Sequence, residues 1–333
     1  MKQRLLVALK ILVTGALLYW VLRSMDLDRA GQRLAEAHAG YLMLTLAVIW
    51  FGHFLCVIRW EILLKIFRIP MHIGQLVRIY AIGMFFNLVL PGLVGGDLVK
   101  GYLAARDGRR PYSLSYASVF LDRDLGFVAM VVLAVLAAAV FPVTVQGYNL
   151  LFVFLGLLGI CIVANLVLFH PLAHDLLKRI FPANRFPSFA RRLDSLFQAF
   201  REVMRSPGRL AITFIISLVN QFLVVVSSWF IAAALDIQAP FFYFLVFVPA
   251  TTVVTMIPVS INGVGLREFA FMRFFASIGI SREQGALMGF LTSIIIVLSG
   301  LPGAIAYLIH RKEVSREKIA AFQASAIEGA EIP

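Results

Sequence analysis

Eight apolar stretches recur along the 333 residues, at about 5–22, 41–64, 79–95, 114–141, 148–170, 210–235, 241–277 and 285–309. An α-helix rises 1.5 Å per residue, so roughly 20 apolar residues cross the ~30 Å hydrocarbon layer. Several of the stretches reach that length. Charged residues make up only 14% of the chain, against about 25% in a soluble domain, and the mean hydropathy is +0.89. The expected fold class is an all-α polytopic membrane protein. One transmembrane domain covers 1–312, and a polar cytoplasmic tail covers 313–333.

The formal net charge of +12 would suggest nucleic acid in a soluble protein. Here the basic residues sit in short connectors between apolar spans, which is a topological pattern and also favours anionic lipid. Residues 142–148 and 235–240 carry no Lys or Arg and are placed outside. Residues 171–209 hold eight Lys or Arg against three Asp or Glu. They are placed in the cytoplasm with 98–113, 311–318 and the N-terminus. Both termini are therefore expected on the cytoplasmic side of the cell membrane. Cys56 and Cys161 lie inside apolar spans and are expected as free, buried thiols.

Two segments cannot be ordinary spans. Residues 79–97 end in Asn87-Leu-Val-Leu-Pro91-Gly92-Leu-Val-Gly95-Gly96-Asp97, and 241–277 are interrupted by Pro258-Val-Ser-Ile-Asn262-Gly263-Val-Gly265. Proline lacks an amide donor and glycine is a poor helix former, so both segments break. The connectors flanking the first break are both basic, so 79–97 reads as a hairpin re-entering from the cytoplasm. The second reads as a hairpin entering from outside. Six full spans and two opposed hairpins result, in two halves of about 1–145 and 146–312 with inverted topology. Pro91, Gly96, Lys100 and Tyr102 align with Pro258, Gly263, Arg267 and Phe269. Transporters use this plan, with the site at the broken helices.

A loop from 171 to 209 carries Phe189, Leu193, Leu196, Phe197, Phe200 and Met204 at helical spacing, with Arg191, Arg192, Arg201 and Arg205 on other faces. It reads as an amphipathic helix on the cytoplasmic surface, docked on anionic headgroups or packed on the bundle as a connector.

Ionisable side chains within spans are costly and need a reason. Asp97 and Lys100 follow the first break; Arg267 and Glu268 follow the second. Asp122, Arg123 and Asp124 lie about ten residues inside a span, and successive helical residues point about 100° apart, so the three cannot share one face. The glycines at the breaks let a ligand approach backbone closely, and the amides of the resumed helices attract anions. With Lys100 and Arg267 each a turn into those helices, two phosphate half-sites are expected. The alternative is tight helix packing with simple pairs, Asp97 with Lys100 and Arg267 with Glu268. Arg123 has two candidate partners, a lipid phosphate or Asp97. Arg59 with Trp60 reads as an interface pair or as a site residue. The six histidines show no metal-ligand spacing, and there is no P-loop, nucleophile elbow or His-Glu-x-x-His pattern. No cofactor, metal or nucleic-acid partner is expected.

On Asn87-x3-Pro91-Gly92-x2-Gly95-Gly96-Asp97, on Asp122-Arg123 with Gly126, on Pro258-x3-Asn262-Gly263-x-Gly265-x-Arg267-Glu268 and on Arg59-Trp60, the chain resembles the flippase-like family typified by the membrane part of bacterial lysylphosphatidylglycerol synthases. The resemblance covers nearly the whole chain. An Arg is usual in that family where Lys100 stands, and a Glu where Asp122 stands; both changes keep charge but alter reach. The soluble aminoacyl-transferring domain of the full synthases has no counterpart, so the resemblance implies a stand-alone member without synthase activity. The function it implies is translocation of an anionic phospholipid or a polyprenyl-phosphate-linked lipid, without enzyme chemistry. Two rival readings are a scaffold for an envelope-biosynthesis protein and a membrane-embedded lipid-modifying enzyme.

Overall fold

A computed structural model describes residues 27–90, 95–169 and 201–310, together with 12–17, 19–21, 23, 194 and 197. In hydrocarbon every backbone amide and carbonyl must be paired internally, and helices dominate accordingly. In chain order they are α1 Leu27–Ala35, α2 Ala39–Ile66, α3 Ile73–Val89, α4 Gly95–Gly108, α5 Tyr112–Val140, α6 Leu150–Phe169, α7 Pro207–Ala234, α8 Phe241–Thr255, α9 Leu266–Ala276 and α10 Arg282–His310. Five of them, α2, α5, α6, α7 and α10, are long and apolar enough to cross a membrane. Of the expected first span, 12–17 and 19–21 are helical. Val21 packs with Met272 and Ala286 against α9 and α10.

Besides α1, four short helices form two broken pairs. At 17 and 14 residues, α3 and α4 are about 25 and 21 Å long; at 15 and 11, α8 and α9 are about 22 and 16 Å. None crosses ~30 Å alone, and each packs along its own partner. The second break falls where Pro258 to Gly265 demanded it. Asn262, Gly263 and Gly265 sit at φ of +53°, +74° and +85°, a region that glycine enters freely and asparagine tolerates.

The first hairpin differs from the expectation. Its arms start earlier and end later than 79–97, because residues 98–108, read as a basic connector, continue α4. Some of the charges that suggested connectors find acids: Lys100 faces Asp122, and Arg78 and Arg106 both hold Asp107, while Arg109 and Arg110 are exposed. Pro91 and Gly92 lie outside the described residues, as do Phe189, Arg191, Arg192, Leu193, Leu196 and Phe200 of the proposed surface helix. Of that helix's other residues, Phe197 is buried, while Arg201, Met204 and Arg205 are exposed. The connector after α5 folds into a small hairpin, Thr144–Val145 (β1) against Tyr148–Asn149 (β2), turned by Gln146 and Gly147 at positive φ. The expected boundary between halves at 145 falls at this turn.

Two apolar cores occupy opposite ends of the bundle. One gathers Trp60, Leu63, Leu76, Ile79, Leu103 and Leu121 around α3 and α4. The other gathers Phe244, Phe247, Phe271, Phe275 and Leu287 around α8 and α9. Helix α5 enters the first core with Ala117 to Leu125 and the second with Ala134 to Ala138, about 20 Å further along its axis. Close approach of α10 to α3 is licensed by Gly303, where a Cβ would overlap the Ala81 carbonyl, and by Gly300 against Leu88.

Candidate functional site

Within the bundle, the polar residues named from sequence fall into two groups. The first is built by α2, α4, α5 and α7. Asp122, eleventh residue of α5 and 2% exposed, accepts from Arg59 Nε at 2.8 Å and faces Lys100 Nζ at 3.5 Å. Arg59 also donates to Ser217 Oγ on α7 at 2.9 Å. Lys100 is held over two rings, with Nζ 4.7 Å from the Trp60 centroid and 4.3 Å from that of Tyr80. Trp60 donates to Ser118 Oγ at 3.1 Å. Arg59 and Lys100 are 4% and 3% exposed, so Arg59 is no snorkelling interface residue.

One residue further along α5, the Arg123 guanidinium grips Asp97 with two nitrogens, Nε to Oδ2 at 2.7 Å and Nη2 to Oδ1 at 3.1 Å. Such a fork on a carboxylate is the strong form of ion pair. Its side chain is nevertheless 56% exposed, while Asp97 is buried. Asp124 points away, accepting from Asn165 of α6 at 3.3 Å. The 100° rotation between neighbours thus sends Asp122, Arg123 and Asp124 to three different partners.

Glycine places this cluster. A Cβ at Gly83 would overlap the Lys100 stem, and one at Gly96 would overlap the Gly83 carbonyl and lie 2.6 Å from Asn87 Cγ; Gly95 lies equally tight against Leu90. Helices α3 and α4 therefore meet backbone to backbone just after the break. Asn87 Oδ1 accepts the Gly96 amide at 2.9 Å.

The second group sits at the start of α9. Arg267 donates to Ser293 Oγ of α10 at 2.7 Å and to the Asn262 carbonyl at 3.3 Å. Ser293 in turn donates to Glu268 Oε1 at 2.6 Å, and the other Glu268 oxygen accepts the Gly265 amide. Among the described residues Arg267 makes no ion pair.

Of the two partners open to Arg123, the structure shows Asp97, and the alternative pair of Asp97 with Lys100 does not form, because Lys100 turns towards Asp122. Arg267 and Glu268 meet only through Ser293. The amides of Gly96 and Gly265, expected to be open to an anion, are capped by Asn87 and Glu268. Sequence reasoning missed Ser217, Tyr80 and Ser293. No group of His, Cys, Asp or Glu among the described residues could hold a metal ion.

Spans that bury this many ion pairs between them define a multi-pass membrane protein with a polar interior. The chain belongs to the family described as the lysylphosphatidylglycerol synthase TM region, whose family model matches residues 7–303. It is similar to the UPF0104 membrane protein PH1989 of Pyrococcus horikoshii, 23% identical over 335 residues that cover 94% of this chain and 98% of the relative. No solved structure matches it.

Proposed function

We propose that this chain is a lipid translocase that moves an anionic lipid, a phospholipid or a polyprenyl-phosphate-linked carrier, between the leaflets of the cytoplasmic membrane. The observation that carries the reading is charge balance: Arg59, Lys100 and Arg123 are three cations against the two carboxylates Asp97 and Asp122. A net positive charge inside a helical bundle is stable only with a compensating anion, and a phosphate group supplies one. Arg123, half exposed beside this cluster, is where that anion makes contact. Arg267 supplies a second contact.

Inverted symmetry supports movement between leaflets. Exchanging α2 with α7, α3 with α8, α4 with α9 and α5 with α10 turns each helix pair in contact into another pair in contact. The packing of α3 on α10 becomes α8 on α5, α4 on α5 becomes α9 on α10, and α2 on α5 becomes α7 on α10. Val21 against Ala286 of α10 answers α6 against α5. The largest contact, α2 with α7, maps onto itself and so lies on the axis. With the hairpins at opposite core ends, each leaflet has its own broken pair, which is the geometry alternating access requires. Both termini lie in the cytoplasm on this reading, and the protein acts without enzyme chemistry.

The test is native mass spectrometry of purified wild type and the Arg123→Ala/Arg267→Ala variant. A specific anionic lipid retained by the wild type and lost in the variant supports the reading. Indiscriminate retention by both refutes it and moves the weight to a scaffold for an envelope enzyme.

A further inference from the structure

The two cationic groups are chemically unequal. Each cation of the first already has a carboxylate: Asp122 lies against Arg59 and Lys100, and Asp97 holds Arg123 bidentately. An incoming phosphate there is drawn by the cluster's one unbalanced positive charge, but to touch the Arg123 guanidinium directly it must displace the Asp97 carboxylate. Arg267 is in the opposite condition. Its partners are a neutral hydroxyl and a neutral carbonyl, and two of its five N–H donors account for both. Both Glu268 oxygens are engaged by Ser293 and Gly265, so the neighbouring carboxylate is turned to other donors. Arg267 is also the second residue of α9, where the helix dipole opposes a cation and favours an anion. In the loop that feeds this helix, Ser260 buries a hydroxyl with no hydrogen-bond partner, at 7% exposure.

We infer that the phosphate of a lipid headgroup is received at Arg267, beside the Ser260–Gly265 loop, and reaches Arg123 only by displacing Asp97. This rests on the translocase reading and adds an order of events to it. Replacing neutral acceptors on a guanidinium by a phosphate oxygen converts ordinary hydrogen bonds into charge-assisted ones, about twice as strong. Exchanging one carboxylate for another anion brings no such gain. Asp97 is then an internal surrogate for the headgroup, keeping the first site closed until substrate arrives.

The experiment titrates detergent-purified protein with phosphatidic acid, with phosphatidylcholine as the zwitterionic control and inorganic phosphate as the free-anion control. Arg267→Gln is expected to weaken phosphatidic acid binding at least about tenfold, and by more than Arg123→Gln does. In Asp97→Asn/Arg267→Gln, with Arg123 released, binding is expected to return. In the wild type, phosphatidic acid should protect Arg267 from phenylglyoxal at lower concentration than it protects Arg123, a readout that needs no variant to fold. Equal losses in the two single variants, or protection of Arg123 first, would overturn the order while leaving the translocase reading intact. Equal protection by inorganic phosphate alone would overturn the headgroup assignment. Absence of phosphatidic acid binding by the wild type would overturn this inference, while the translocase reading would still be decided by leaflet exchange with the two lipids.

Discussion

Asp122→Asn is the substitution with the most calculable consequence. The carboxylate is 2% exposed, and it is the anion for two cations that are themselves 4% and 3% exposed. Asparagine keeps the shape and can accept one hydrogen bond, so Arg59 retains Ser217 and a weakened contact, but the charge is gone. Removing one partner of a buried ion pair costs about 3–5 kcal/mol, because the cost is the stranded charge rather than the lost attraction. At roughly 2 °C per kcal/mol for a chain of this size, Tm should fall by roughly 6–10 °C. Cys56 and Cys161 are free and buried, so a thiol-reactive fluorophore reports unfolding in detergent directly. The companion variant is Arg59→Met/Lys100→Met/Asp122→Leu, which removes the charges of this triad together and leaves the Arg123–Asp97 pair in place. Replacing a buried ionic group by apolar residues of similar volume is often neutral or stabilising, so its Tm should recover towards wild type while anionic-lipid transport stays lost. An unchanged Tm in Asp122→Asn would refute the reasoning, since the cations would then have another anion.

Other outcomes follow from the same geometry. Gly96→Ala should destabilise by more than the usual ~1–3 kcal/mol of overpacking, because the obstruction is the Gly83 carbonyl rather than a flexible side chain; Gly303→Ala should do the same through Ala81, both read in the thiol assay. Ser293→Ala should separate Arg267 from Glu268 and weaken anionic-lipid binding with a modest Tm change of roughly 2–6 °C. Asp124→Asn should leave lipid binding unchanged by native mass spectrometry, because Asp124 faces Asn165 and not the cluster. Asn87→Ala removes the acceptor for the Gly96 amide and should cost about 1 kcal/mol, measured as a small fall in Tm.

Long uniform spans were legible because hydrophobic length is a property of the segment alone. The stretches read at 41–64, 114–141, 148–170, 210–235 and 285–309 end within three residues of α2, α5, α6, α7 and α10. The break at 258–265 was equally plain, since Pro258, Asn262 and the glycines act locally. Helix α4 was not. Its Lys100, Arg106 and Asp107 resemble a solvated connector, and only tertiary partners on α3 and α5 show that these charges face inwards. For the candidate site, residue types and positions could be read along the chain. Pairing could not, because whether Asp97 meets Lys100 or Arg123 depends on how α4 rotates against α5, which the Gly83–Gly96 contact decides. Ser217 and Ser293 were invisible for the same reason: a lone serine within an apolar span carries no signal until a guanidinium is found beside it.

The most direct test of the central claim is a leaflet-exchange assay in proteoliposomes carrying a fluorescent anionic phospholipid or polyprenyl phosphate, comparing wild type with Arg123→Ala/Arg267→Ala. Wild type should move one of these lipids across the bilayer faster than protein-free vesicles, and the folded variant should match the vesicles. Movement by the variant at the wild-type rate, or none by the wild type with either lipid, would contradict the account.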